Sequence, residues 1–84
     1  MAKRVGFVGI LIEDRRSSAA VQQLLSDHGD SIISRMGVPY REKEVAVITL
    51  IVDIDTNTLG TLTGKLGALS GVSVKSGLVE KERS

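Results

Sequence analysis

Residue types that build disulfides, metal sites and catalytic centres are absent or scarce in this chain of 84 residues. It has no cysteine, which excludes disulfide bridges, thiolate metal ligands and cysteine nucleophiles. His28 is the only histidine, so a pair of catalytic histidines and a site with several histidine ligands are also excluded. We expect no catalytic residues, no metal ligands and no enzymatic activity, and the sequence identifies no cofactor.

Aromatic residues and an excess of charge are lacking as well. Phe7 and Tyr40 are the only aromatic residues, which leaves no platform on which nucleic-acid bases could stack. The 11 basic and 10 acidic residues are interspersed and give a net charge of +1, without the basic stripe that phosphate backbones require. We expect no direct contact with nucleic acid.

The apolar runs are short. The longest one, residues 45–52, is interrupted by Thr49, whereas a membrane helix needs about 20 apolar residues. The N-terminal apolar run ends at Glu13 and lacks the small-residue cleavage site of a signal peptide. We therefore expect a cytoplasmic protein that makes no contact with a membrane.

The residues that are present form alternating strand and helix patterns. Segments rich in β-branched residues predict four strands, at residues 5–12, 31–40, 45–54 and 72–79. Two amphipathic helices are predicted between the first and second and between the third and fourth strands. Their apolar stripes are Ala20, Val21, Leu24, Leu25 and His28, and Leu59, Leu62, Leu66 and Leu69.

Capping residues fit both helices. Asp14 can cap the first helix and Gly29 can end it, while the second can begin at Asp55, Thr56 or Asn57 and end at Gly71. Three further glycines (60, 64 and 67) lie on one side of the second helix, where each costs about 1 kcal/mol relative to alanine. We expect another backbone to pack closely against them.

The order β-α-β-β-α-β predicts an α+β fold. Right-handed crossovers place two helices on one face of a four-stranded antiparallel sheet, with the strands in the spatial order 4-1-3-2. Pro39 has no N–H to donate, which places the second strand at the edge of the sheet. We predict a ferredoxin-like βαββαβ sandwich that occupies residues 1–84 as a single domain.

The two central strands are apolar on both sides, although helices can cover only one face of the sheet. The first strand has Val5, Phe7 and Leu11 on one side, and the third strand likewise has Val45, Val47 and Ile51. The face without helices should be polar if it met water, and large apolar patches usually mark interfaces. We predict a homo-oligomer, a dimer or tetramer, that forms through sheet faces or sheet edges.

The chain resembles a known family in three segments, RVGFVGILIEDR, HGDSIISRMGVPYREKEVAVITLIVD and TGKLGALSGVSVKS. It is similar to the iron-only hydrogenase system regulator family, which consists of small ferredoxin-like, ACT-like proteins related to the C-terminal sensor domain of the nickel-responsive repressor. The resemblance spans residues 4–76 and is most specific at residues 35–41 and 64–67. It implies a regulatory role linked to iron-only hydrogenase systems.

Three features of these relatives are not reproduced. The histidine and cysteine ligands of the nickel sensor correspond to Thr49, Ile51 and Asn57, which cannot form that site. ACT domains commonly have glycine at the first turn, where this chain has residues 13–16 (EDRR), which argues against amino-acid binding in that manner. The first strand begins near residue 4, so we expect any effect on transcription to require a partner protein.

Four residues are candidates for ligand binding: His28, Arg35, Tyr40 and Arg41. Arginine binds carboxylate or phosphate with two parallel hydrogen bonds, and tyrosine offers a ring and a hydroxyl group. The alternatives are that His28 stabilises the C-terminus of its helix and that the arginines are solvated or pair with nearby glutamates.

The first functional hypothesis is a regulatory oligomer that senses a small-molecule effector or acts through a protein partner. The second is a small enzyme on the same fold, and the third is a structural adaptor that binds another protein by strand addition.

Overall fold

A computed structural model describes residues 2–80 of the chain. The strands and helices follow one another in the order that the sequence patterns predict. They are β1 (Arg4–Ile12), α1 (Ser18–Asp27), β2 (Ile32–Tyr40), β3 (Val45–Ile54), α2 (Thr56–Gly67) and β4 (Val72–Leu78). Short 3-10 turns precede and follow α1 and connect β2 to β3.

The four strands form one antiparallel sheet in the order β2-β3-β1-β4. This is the predicted order, and the ferredoxin-like α+β fold is confirmed. Pro39 lies on the edge strand β2, which has a partner strand on one side only and therefore tolerates a residue without an N–H. The most apolar strands, β1 and β3, are central and adjacent.

The core lies between one face of the sheet and both helices. Alternate side chains of β1 and β3 point to this face, and Val8, Leu50 and Val52 are completely buried. The helices contribute one stripe each, namely Val21 and Leu25 from α1 and Leu59, Leu62 and Leu66 from α2. Ala20, which was assigned to the stripe of α1, is instead exposed.

The helix ends follow local hydrogen bonding. Asp55 is the N-cap of α2: its two carboxylate oxygens accept hydrogen bonds from the backbone N–H and the hydroxyl of Thr58, both at 2.8 Å. The helix ends at Gly67, four residues before Gly71, so the prediction that Gly71 ends it is wrong. Gly29 follows the C-cap residue His28 but begins a 3-10 turn without adopting a positive φ angle.

The glycines of α2 have no packing partner among residues 2–80. A Cβ atom placed on any of Gly60, Gly64 or Gly67 would meet nothing within 4 Å. The expected close approach of another backbone is therefore not found within this part of the chain. Neither helix in residues 2–80 has the length and apolar content needed to cross a lipid bilayer.

Candidate functional site

The face of the sheet opposite the helices is uncovered in the structure, and we call it the open face. Paired residues of antiparallel strands point to the same face, so the register assigns each strand's contribution. Three cross-strand rows of the open face extend over all four strands, and two of them are Met36–Thr49–Gly9–Lys75 and Val38–Val47–Leu11–Ser73.

Large apolar side chains occupy most of the open face. Phe7 is 48% exposed, Ile51 is 42% exposed and Met36 is 67% exposed. Val5, Val38 and Tyr40 on the same face are also exposed. By contrast, β4 presents Ser73 and Lys75 there, so the apolar surface covers β2, β3 and β1 and stops at β4.

Small residues bring β1 and β4 close together beside this surface. A Cβ atom on Gly77 would lie 2.8 Å from Cε1 of Phe7, which shows that the phenyl ring lies directly over this glycine. A Cβ atom on Gly6 would overlap the carbonyl oxygen of Gly77. The ring therefore lies flat along the open face.

A second feature is a cleft of about 770 Å³ at the end of the sheet where β1 and β2 finish. It lies between the turn that precedes α1 and the connection from β2 to β3. Apolar residues such as Ile12 and Ala46 form part of its wall. Its polar and charged lining residues are Glu13, Arg15, Ser18, Tyr40, Arg41 and Glu44.

The charged groups of the cleft are available to a ligand. Neither Arg15 nor Arg41 has a side-chain hydrogen bond or ion pair within residues 2–80, where the one ion pair joins Arg16 to Asp14 at 3.0 Å. A free guanidinium group binds carboxylate or phosphate oxygens well. The Tyr40 hydroxyl donates to Oε2 of Glu42 at 3.2 Å, and Tyr40 also belongs to the open face.

The four candidate ligand residues lie in different places. Tyr40 and Arg41 both line the cleft. Arg35 donates a hydrogen bond to Oε1 of Gln22 on α1. The Nδ1 atom of His28 lies 2.9 Å from the carbonyl oxygen of Leu24, at the end of α1 remote from the cleft.

Four of the polar and charged cleft residues were not among the candidates, and two of these, Arg15 and Ser18, lie at the start of α1 and in the turn before it. They approach Tyr40 because Ile12 pairs with Ala46, which in turn pairs with Pro39. This cross-strand register brings the start of α1 next to the end of β2. The charged turn after the first predicted strand was the only available signal for them.

The turn before α1 is fixed by a network around Asp14. Its carboxylate accepts hydrogen bonds from the backbone N–H and side chain of Arg16, and from the hydroxyl of Ser70 at 3.1 Å. These bonds, with those to Arg16 the strongest, lower the pKa of Asp14 to about 2. The Ser17 hydroxyl donates to the carbonyl oxygen of Ser70 at 2.6 Å, so one wall of the cleft is tied to the α2–β4 connection.

The lowered pKa of Asp14 predicts a pH-dependent contribution to stability. The contribution is fully present above the ordinary pKa of 3.8 and is lost as the pH falls through about 2. Asp14→Asn should therefore be less stable than the parent at pH 6, and the difference should shrink at pH 2.5. Urea denaturation at both pH values measures it, with the exposed Asp30→Asn as the control. If the difference in stability between the parent and Asp14→Asn is the same at the two pH values, the lowered pKa of Asp14 is contradicted.

The four-stranded antiparallel sheet with two helices on one face defines a protein of the ferredoxin-like class. Within that class, the chain belongs to the TM1266-like family, described as an iron-only hydrogenase system regulator, whose family model matches residues 4–76. The resemblance seen in the sequence is thereby confirmed. No curated protein matches the chain.

Solved structures share this fold, and one of them is also similar in sequence. The uncharacterized protein TM1266 from Thermotoga maritima is 39% identical, with 93% of this chain and 99% of that chain covered and a TM-score of 0.87. The C-terminal domain of the MgtC protein from Mycobacterium tuberculosis has a TM-score of 0.74 at 12% identity, over 99% of this chain and 95% of that one.

A nitrogen regulatory PII-like protein, CPII from Thiomonas intermedia K12, has a TM-score of 0.56 at 16% identity, over 95% of this chain and 94% of that one. At such identities the likeness to MgtC and CPII shows a shared fold alone.

Proposed function

We propose that this protein is a non-enzymatic regulatory module of an iron-only hydrogenase system and that it works as a homo-oligomer. The family supports the regulatory role, and the open face supports self-association. We also propose that it acts in the cytoplasm, as the sequence predicts.

The observation behind self-association is the apolar surface on β2, β3 and β1. Burial of apolar surface contributes about 25 cal/mol per Å², so a patch of several hundred Å² gives several kcal/mol. A small domain is only marginally stable by itself because it buries a small share of its surface. A second copy on the open face would supply the missing burial, in a dimer or in one half of a tetramer.

Sedimentation velocity of the full chain tests this part of the proposal. Over a concentration series from about 1 to 100 µM, the range of ordinary affinities, we expect the sedimentation coefficient of a dimer or tetramer. A single monomeric species throughout the series would refute the proposed assembly.

We also propose that the protein senses a small effector that binds in the cleft. Arg15 and Arg41 would bind the carboxylate or phosphate group of a small effector, and the Tyr40 ring would pack against its body. His28 and Arg35 lie outside the cleft, so in this proposal they could reach the same effector only from another copy of the chain.

A thermal-shift screen of small carboxylates and phosphates tests the cleft. A ligand at 100 times its dissociation constant stabilises the folded state by about 2.7 kcal/mol, which raises the melting temperature of a domain this size by roughly 10 °C or more. We expect the double variant Arg15→Gln, Arg41→Gln to lose this shift. The control Lys65→Gln removes a positive charge from the exposed surface of α2, outside the cleft, and should keep the shift. A shift that survives the double variant would place the ligand elsewhere.

A structural adaptor is the second candidate, because β2 is an edge strand with exposed Ile33, Met36 and Val38. An extended segment of a partner protein could add to its free edge through backbone hydrogen bonds. No observation in residues 2–80 favours the enzyme alternative.

A further inference from the structure

Gly9 lies in the middle of the central strand β1, yet nothing within residues 2–80 requires glycine there. A Cβ atom at this position would meet only the carbonyl oxygen of Lys75, at 3.8 Å, which is ordinary van der Waals contact. Its φ angle is not positive. Glycine inside a strand is less stable than alanine there, and it often marks a place where another surface approaches the backbone.

The missing side chain leaves a depression on the open face. It has a volume of about 290 Å³, with Gly9 on its floor and Leu11 and Val47 among its walls. Ser73 and Lys75 of β4 border it on one side. The depression therefore has the size and the apolar walls to receive a side chain from outside.

The same cross-strand row carries a matching projection. Met36 pairs with Thr49, and Thr49 pairs with Gly9, so the most exposed of the large apolar side chains lies two strands from the depression. That separation is about 10 Å within one copy, since neighbouring strands lie 4.7–4.9 Å apart. Methionine is long and flexible enough to fill an irregular gap.

We propose that a second copy packs on the open face about a two-fold axis that lies between the two sheets and runs parallel to β3. Met36 of each copy then enters the Gly9 depression of the other. The inference rests on the proposed self-association and specifies its geometry. An axis along β3 exchanges the positions of β2 and β1 and keeps each cross-strand row in register. Sheets packed in this way lie about 10 Å apart.

The polarity of β4 supports this axis over the alternatives. An axis along β3 leaves β4 of each copy outside the overlap, where Ser73 and Lys75 form a polar rim. An axis along β1 would place Lys75 against Thr49 inside the interface and leave Met36 and Val38 uncovered. The apolar surface on β2, β3 and β1 therefore matches the area that an axis along β3 covers.

Two variants test the depression. Gly9→Leu should fill it and raise the dimer dissociation constant at least tenfold, because Met36 of the partner copy would have no space. The control Ser26→Leu adds the same side chain to the exposed surface of α1, on the other side of the sheet, and should leave the dissociation constant unchanged. An unchanged affinity in Gly9→Leu, checked as folded by circular dichroism, would overturn the inference.

Crosslinking tests the axis independently, since the chain has no cysteine of its own. Thr49→Cys should be joined to its partner by a bismaleimide with a span of about 10 Å, the sheet separation. Ser73→Cys should not, because the two copies of β4 lie on opposite sides of the axis. Crosslinking of Ser73→Cys, or failure of Thr49→Cys in a chain that sediments as a dimer, would overturn the axis while self-association stands. If the parent chain sediments as a monomer, the self-association in the proposed function is refuted instead.

Discussion

Ile51→Lys is expected to abolish the proposed self-association. Ile51 lies on the open face in β3, and a lysine there would place an ammonium group in an apolar interface. A buried charge without a partner costs several kcal/mol, and each 1.4 kcal/mol is a tenfold change in affinity, so we expect the dissociation constant to rise at least about 100-fold. Sedimentation velocity at matched concentrations measures it.

A matched control separates this effect from a change in net charge. Ser26→Lys adds the same charge to the exposed surface of α1, on the other side of the sheet, and should leave the assembly intact. If both variants dissociate, or if Ile51→Lys assembles as well as the parent chain, the open face is not the interface.

Gly71→Ala is expected to destabilise the protein strongly, although it adds only one methyl group. Gly71 has a φ angle of +68°, and an added Cβ atom would lie 2.5 Å from Cβ and 2.8 Å from N of Asp14. The left-handed backbone alone costs about 1–3 kcal/mol for other residues, and the steric overlap adds to it. The backbone bond from Glu13 N to the Gly71 carbonyl oxygen, at 2.7 Å, should weaken as the two turns separate.

The control for Gly71→Ala is another glycine in the same part of the chain. Gly64→Ala adds a methyl group that meets nothing within 4 Å, and it should stabilise the protein by about 0.5–1 kcal/mol because alanine favours the helix. Urea denaturation of both variants at one protein concentration gives the comparison. Equal stability of the two variants would contradict the assigned role of Gly71. A loss of stability in Gly64→Ala would show that another molecule packs against α2.

The fold was predictable because its sequence signals are local and consistent with one another. Alternation and β-branched residues located all four strands, and Pro39 placed β2 at the edge. The end of α2 was missed because Leu69 continues the apolar spacing and packs against the core, although it lies in the turn beyond Gly67. Spacing alone could not separate a helical residue from one that reaches the same core from a turn.

The candidate site was less predictable because it depends on the register between strands. Tyr40 and Arg41 are adjacent in sequence and line the cleft together. Arg15 joins them only through the pairing of Ile12 with Ala46, which no local pattern reveals. In the same way, the spacing of Gly9 and Met36 in the chain gives no indication that they share one cross-strand row.

Tyr40 has a consequence for regulation because it lines the cleft and also lies on the open face. If an effector in the cleft shifts this ring, it alters the fit between two copies. Thermodynamic linkage then makes the coupling reciprocal: an effector that tightens assembly by some factor binds the assembled protein more tightly than the monomer by the same factor. The effector concentration at which the protein responds would then depend on the concentration of the protein itself.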